Sequence, residues 1–168
     1  MPNIYVPINV SKNVATSEAA SNLTFNKFVT DLSKAASGFQ VLGIPATLVA
    51  PQIGDQIQIG VIPAGEILVP HLCRFTNPII DSGATGIASL GTTALPAGIK
   101  ATASVQAAAT YVGSGFAIST GEVGADNAET PVYLTFTAAV ATLAATGLIV
   151  WDQVTRPWNS MTDGPSTS

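Results

Sequence analysis

Charged residues are scarce in this sequence. Lys and Arg total 6 and Asp and Glu total 10, so 10% of the 168 residues carry a charge, whereas about 25% is usual for a globular domain. The net charge is −4 and no basic cluster occurs. Counterion release at a cationic surface drives most nucleic-acid binding, and this chain lacks such a surface. We therefore expect no direct contact with DNA or RNA.

Cysteine and histidine are nearly absent as well. Cys73 is the only cysteine, which excludes an internal disulfide, and His71 is the only histidine. Zinc takes about four N, S or O ligands, and only these two N/S groups are available. The two residues fall on a predicted strand, about 6.5–7 Å apart, which exceeds hydrogen-bond reach. We expect neither a zinc site nor a Cys/His nucleophile.

No other group of residues indicates catalysis. Glu122, Asp126 and Glu129 share the loop GEVGADNAE, whose oxygens would suit calcium, but their spacing matches no calcium-loop pattern. A solvated loop is the alternative interpretation. The glycine-containing pieces at 113–115 and 121–124 open no predicted helix, so no phosphate loop is indicated. The sequence predicts a protein that is not an enzyme and has no catalytic residues, no cofactor and no resident metal.

The longest charge-free run, 130–151, could span a bilayer by its length. Its apolar residues alternate with Tyr and Thr from Val132 to Thr137, and Pro131 and Gly147 interrupt it, so two strands around the loop 139–146 fit better than a membrane helix. The first residues, MPNIYVPINVSK, lack the basic and apolar regions of a signal peptide. We expect the chain to be made and used without Sec export, and we expect no membrane partner.

The chain divides into three predicted zones: an N-terminal arm over 1–43, a β-rich body over 44–155, and a C-terminal tail over 156–168. Apolar residues of the arm recur at helical spacing, with Thr24 as N-cap and Gly38 as stop, which predicts a short helix containing Phe25, Phe28 and Leu32. An extended arm is the alternative, because threonine and valine are weak helix formers.

The body is a series of short apolar runs divided by glycine and proline. Eight such runs with almost no helical periodicity predict an all-β fold, a jelly-roll-like antiparallel β-sandwich. The predicted strands are 46–49, 56–61, 66–75, 86–90, 102–111, 116–119, 132–137 and 148–154.

One phrase predicts a hairpin. In GDQIQIGVIPAGE, Ile57, Ile59 and Val61 should face the core, while Gln56 and Gln58 face outward. Pro63 at the second position of a turn and a left-handed Gly65 would return the next strand antiparallel to the first. Leu95-Pro96-Ala97-Gly98 repeats the Pro-Ala-Gly sequence of this segment, but its flanking residues differ. We interpret the repeat as turn chemistry used twice rather than as a duplicated unit.

These motifs resemble those of the head decoration, or cement, proteins of tailed bacteriophages. The resemblance rests on Gly54-Asp55, Pro63-Ala64-Gly65, Asp81-Ser82-Gly83, Gly91 and the later strands VYLTFT and GLIVW, and it spans about 45–154. Family members often carry Asp-Val-Gly where this chain has Ser89-Leu90-Gly91, which leaves the docking details open. The arm matches no part of the family pattern.

The resemblance implies a structural virion protein on the outer capsid surface, which would bridge neighbouring major capsid subunits and stabilise the shell. A homo-oligomer is expected, a trimer before a dimer. The predicted partner-binding residues are Phe25, Phe28 and Leu32 in the arm and Trp158 in the tail; packing onto their own sheet is the alternative for each. A carbohydrate- or receptor-binding jelly-roll module is the alternative function.

Overall fold

A computed structural model describes residues 1–8, 11–16, 23–116 and 128–157. The described residues form strands and short 3-10 turns. The strands are Ile4–Pro7 (β1), Ser11–Thr16 (β2), Thr24–Asp31 (β3), Phe39–Val41 (β4), Ile44–Ala46 (β5), Gln56–Ile62 (β6), Glu66–Leu68 (β7), Arg74–Asn77 (β8), Ile87–Gly91 (β9), Lys100–Ser104 (β10), Ala109–Val112 (β11), Thr130–Ala138 (β12) and Leu148–Pro157 (β13).

The strands form two sheets that pack against each other. One has seven strands in the order β10-β9-β12-β6-β1-β4-β5, and the other has six, with β11-β8-β13-β3-β2 in order and β7 beside β13. Among the described strands, every ladder is antiparallel except that of β1 with β6. The predicted all-β, jelly-roll-like sandwich is confirmed, with one parallel pair that the sequence pattern did not indicate.

The sheets meet around Trp151, which is fully buried. A Cβ added to Gly60 of β6 would lie 2.6 Å from Trp151 Cδ1 and 3.3 Å from Phe28 of β3. Glycine at this position therefore lets β6 approach the indole closely. Trp151 Nε1 donates to Gln153 Oε1 at 3.0 Å, and Gln153 Nε2 donates to the Val61 carbonyl at 2.9 Å. These two hydrogen bonds satisfy the buried indole N–H and the side-chain amide of Gln153 between the sheets.

The helix predicted in the N-terminal segment is wrong. Thr24–Asp31 is a strand between β2 and β13, and only Leu32–Lys34 makes a single 3-10 turn. Asn26, Phe28 and Thr30 are buried, while Phe25 and Lys27 face outward, which is the period of two expected of a strand. The hydrogen-bonded ladders that β3 forms with β2 and β13 outweigh the helical spacing of its apolar residues. The Val and Thr residues of β3 also favour strands.

The segment predicted as an arm, 1–43, supplies strands to both sheets. β1 lies in the seven-stranded sheet between β6 and β4, while β2 and β3 lie in the six-stranded sheet. The backbone N–H of Asn3 donates to the Asp55 carboxylate at 2.7 Å, which fixes the start of β1 beside β6. Its described residues are thus part of the sandwich.

The turn at Pro63 is a corner between the sheets and not a hairpin. Gly65 has the predicted left-handed φ of 71°, but Glu66 N donates to the Pro63 carbonyl, so Pro63 occupies the first turn position. β7 then pairs with β13 in the other sheet. Ile57 and Ile59 are buried as predicted, but Val61 is only half-buried and Ile62 is buried. A register shift opposite Val132 and Tyr133 changes the alternation there.

Two of the longer predicted strands are interrupted. The 3-10 turn Pro70–Leu72 divides the predicted strand 66–75, because proline cannot donate to a ladder. The predicted strand 102–111 is divided into β10 and β11, which lie in different sheets. Of the predicted strand 116–119, residues 117–119 lie outside the described residues.

Candidate interaction surfaces

His71 and Cys73 do not share a strand. His71 is exposed in the turn Pro70–Leu72, and Cys73 is buried immediately after it. The Cys73 thiol donates to the Val69 carbonyl at 3.4 Å, and its sulfur accepts the Val154 N–H at 3.3 Å. Burial raises the pKa of the Cys73 thiol to about 11. The side chain is therefore a packing group that links the turn to β13, not an activated nucleophile.

Asp81 organises a buried loop. Its side chain is 1% exposed, and its carboxylate accepts the backbone N–H groups of Gly83, Thr85, Gly86 and Thr142. Burial alone would raise the pKa of this carboxyl, but the four N–H donors outweigh it and hold the pKa well below its usual range. Because three of these backbone donors lie in the loop 81–86 and the fourth is Thr142, the carboxylate fixes this loop to the loop that contains Thr142.

Asp55 has a similar structural role. Its buried carboxylate accepts the N–H groups of Asn3 and Gln52, and the preceding Gly54 has a φ of 88°. The two aspartates on which the sequence resemblance rests are therefore organisers of turns. Their chemistry determines the path of the chain rather than a binding site.

No group of three or more His, Cys, Asp or Glu side chains that could hold a metal ion occurs in the described ranges. Most of the acidic loop considered for calcium, 122–127, lies outside those ranges. Among the described residues, none of the helical turns has the length and apolarity needed to cross a membrane.

A groove lies on the outer face of the six-stranded sheet. It has a volume of about 370 Å³; Phe25, Leu72 and Val154 supply its apolar lining, and Lys27, Arg74 and Asp152 its charged lining. We call it the Phe25 groove. Phe25 is 38% exposed and Leu72 is 45% exposed. The groove therefore presents aromatic and aliphatic surface that the fold itself leaves uncovered.

The charges of the Phe25 groove are paired in a row across three strands. Arg74 donates from Nε and Nη2 to Asp152 Oδ2 at 2.8 and 2.7 Å, and Lys27 Nζ lies 4.0 Å from Asp152 Oδ1. The three residues are direct neighbours across β8, β13 and β3. Because the Asp152 carboxylate partly neutralises Arg74 and Lys27, an uncharged group can enter the groove without burying an unpaired charge.

The four predicted partner-binding residues fall in different places. Phe28 is 5% exposed and Leu32 is fully buried, so both pack in the core and cannot contact a partner of the folded chain. For these two residues the structure has the alternative arrangement, packing within their own chain, because the strand turns Phe28 inward and the 3-10 turn buries Leu32. Phe25 faces outward in the groove. Trp158 lies outside the described residues.

The sequence interpretation missed the hairpin between β4 and β5. Val41 pairs with Ile44, so Leu42 and Gly43 form a two-residue turn, and both have positive φ, 52° and 78°. This is the pattern of a type I′ turn, in which asparagine and glycine are the usual residues. Leu42 is 88% exposed and Ile44 is 68% exposed. The dipeptide Leu-Gly between two short apolar runs was the available signal.

One of three comparisons with known proteins finds a match. No family model matches the chain, and no curated protein matches it by sequence. A two-sheet sandwich of this kind occurs in a solved structure: the fold is similar to that of a chain in the capsid of Ralstonia phage GP4, with a TM-score of 0.58. The match covers 88% of this chain and 92% of that chain, at 21% sequence identity. At this identity the likeness establishes a shared fold.

Proposed function

We propose that this chain is a structural protein of a tailed-phage virion, and that it binds the outer surface of the head as a decoration or cement protein. The observation that carries the proposal is the fold shared with a chain of the capsid of Ralstonia phage GP4. Because coverage is high in both directions, the two chains have similar lengths. The likeness is thus to a capsid component of this size, not to a domain of a much larger subunit.

The surface of the chain supports this proposal. Cement proteins must lie close to one another and to the major capsid subunits in many copies, which low charge density favours because it limits repulsion. The chain has 10% charged residues and exposes apolar side chains at the Phe25 groove and at the β4–β5 hairpin. Binding only to the assembled shell would stabilise that shell by mass action. Phe25 and Trp158 remain the proposed contact residues.

Quantitative mass spectrometry of purified virions tests the proposal. We expect a copy number close to that of the major capsid protein, because a cement protein occupies a repeated site on the shell. A few dozen copies, as for a tail or portal component, or none at all, would contradict it. Localisation of the chain on virions by electron cryo-microscopy should then show density outside the shell; density inside would contradict the surface position.

A further inference from the structure

Leu42 is displayed at the tip of the β4–β5 hairpin in an unfavourable backbone conformation. Its φ of 52° is rare for a bulky residue, and asparagine or glycine would relax the turn. Its side chain is 88% exposed, so packing within the chain does not explain the choice of leucine. A strained position that presents a large apolar side chain to solvent indicates a contact outside the chain.

Such a contact would use side chains and not strand addition. β5 is the last strand of its sheet. Gln40 pairs with Pro45, the next pair after the one that flanks the turn, so the Pro45 nitrogen faces the open edge. Proline has no N–H to donate, and its presence blocks a further strand at this edge. The hairpin therefore offers its apolar tip, Leu42 and Ile44, rather than its backbone.

The charge pattern limits what can receive this tip. Residues 35–54 contain no Asp, Glu, Lys or Arg. The hairpin therefore cannot form an ion pair with a charge that it covers on the receiving surface. The receiving surface must be apolar or have charges that are already paired. The Phe25 groove of the same chain has both properties, since Phe25 and Leu72 line it and Asp152 pairs with Arg74.

We propose that Leu42 and Ile44 of one copy dock into the Phe25 groove of a second copy. The tip belongs to the seven-stranded sheet and the groove to the outer face of the six-stranded sheet, so the two contact surfaces are different. In the head-to-tail form, the tip and the groove of one copy engage two different neighbours, and closure gives a ring, of which a trimer is the smallest; a reciprocal two-fold dimer would engage both surfaces with one neighbour. This inference does not depend on the proposed function.

Cross-linking of mixed variants tests the contact directly. Ile44→Cys keeps Leu42 at the tip, and Lys27→Cys keeps the apolar lining of the groove. With a short bismaleimide, we expect covalent dimers in a mixture of the two variants and none in either variant alone. Cys73 is buried and serves as the internal control. Dimers of Ile44→Cys alone would show a tip-to-tip contact and would overturn the proposal.

Leu42→Asn separates the contact from the fold, because asparagine suits the turn. By light scattering we expect the wild-type chain to form rings of three or more copies. In Leu42→Asn the dissociation constant should rise about thirtyfold, the effect of losing a strong interface residue. Ile53→Asn is the matched control, since Ile53 is 68% exposed, like Ile44, but lies outside the hairpin. We expect it to leave the rings unchanged.

A wild-type chain that stays monomeric at millimolar concentration would overturn the inference, as would equal effects of Leu42→Asn and Ile53→Asn. These results would leave the proposed function intact if the chain is still found at high copy number in virions. Conversely, ring formation by a chain that is absent from virions would support the inference and contradict the proposed function. The two proposals can therefore fail separately.

Discussion

Two loops of this protein each hold a residue other than glycine at positive φ, and they differ in what fixes it. In the Asp81 loop, Ala84 has a φ of 61°, and the buried Asp81 carboxylate accepts the N–H groups on both sides of it, from Gly83 and Thr85. At the β4–β5 hairpin, Leu42 has a φ of 52° and an exposed side chain. Internal hydrogen bonds explain the first strained residue, whereas the second has no such explanation within the chain.

Removal of the Asp81 carboxylate should destabilise the Asp81 loop and have the largest effect on the free energy of unfolding. Asp81→Ala leaves four buried or partly buried N–H groups without their acceptor, so we expect a loss of about 3–5 kcal/mol in the free energy of unfolding. Denaturation by urea measures it. Asp31→Ala is the control, because the Asp31 side chain hydrogen-bonds only to Ser33, near the surface, and the loss of unfolding free energy should be much smaller. Equal losses in the two variants would contradict the role of Asp81.

Thiol labelling compares buried and displayed positions in one chain. At pH 8, in dilute, monomeric protein, we expect Leu42→Cys to react like a free thiol, whereas Cys73 should react at least about a hundredfold more slowly, because burial and a pKa of about 11 leave little thiolate. Labelling followed by peptide mass spectrometry distinguishes the two sites. Rapid labelling of Cys73 in the folded chain would show that the turn Pro70–Leu72 opens readily.

Acid should weaken the Asp81 loop and leave the hairpin unaffected. The pKa of Asp81 is lowered in the folded state, so its contribution to stability is complete above the unfolded value of about 3.9 and is lost as pH falls below it. The difference in unfolding free energy between the wild type and Asp81→Asn should therefore shrink between pH 5 and pH 3. A difference that stays constant over this range would contradict the lowered pKa.

Relief of strain gives the smallest expected effect. In dilute, monomeric protein, Leu42→Asn should raise the free energy of unfolding by about 0.5–1 kcal/mol, because asparagine tolerates the left-handed conformation better than leucine. Ala84→Gly removes the same kind of backbone strain from the Asp81 loop and should be neutral or slightly stabilising. A clear loss of stability in Leu42→Asn would show that the Leu42 side chain packs within its own chain.

The fold class could be predicted from the sequence because alternation and turn residues act locally. β6, β9, β12 and β13 were placed within a few residues, and the glycine at 65 has the predicted conformation. The partners of the strands were harder to predict. Nothing local shows that β7 leaves β6 for β13, or that β1 runs parallel to β6, because these pairings depend on contacts between distant parts of the chain.

The candidate surfaces were predicted less well than the fold. Phe25, Phe28 and Leu32 share helical spacing, but in a strand the alternation leaves Phe25 outside and turns Phe28 inward. The helical period therefore grouped the outward-facing Phe25 with two residues that the structure buries. Leu42 was missed because exposure at a hairpin tip is a property of the turn, and an apolar run interrupted by one glycine resembles an ordinary buried strand.

The ladder between β3 and β13 has a consequence for how the chain acquires its fold. It joins Thr24 to Thr155 and Asp31 to Leu148, so the centre of the six-stranded sheet consists of residues more than a hundred positions apart. During synthesis, β3 must wait, unpaired on that side, until almost the whole of the described chain has left the ribosome. Contacts of such long range fold slowly. The protein should therefore complete its structure after translation, which makes the exposed edge of β3 the place where a nascent chain is most open to chaperones or to misassembly.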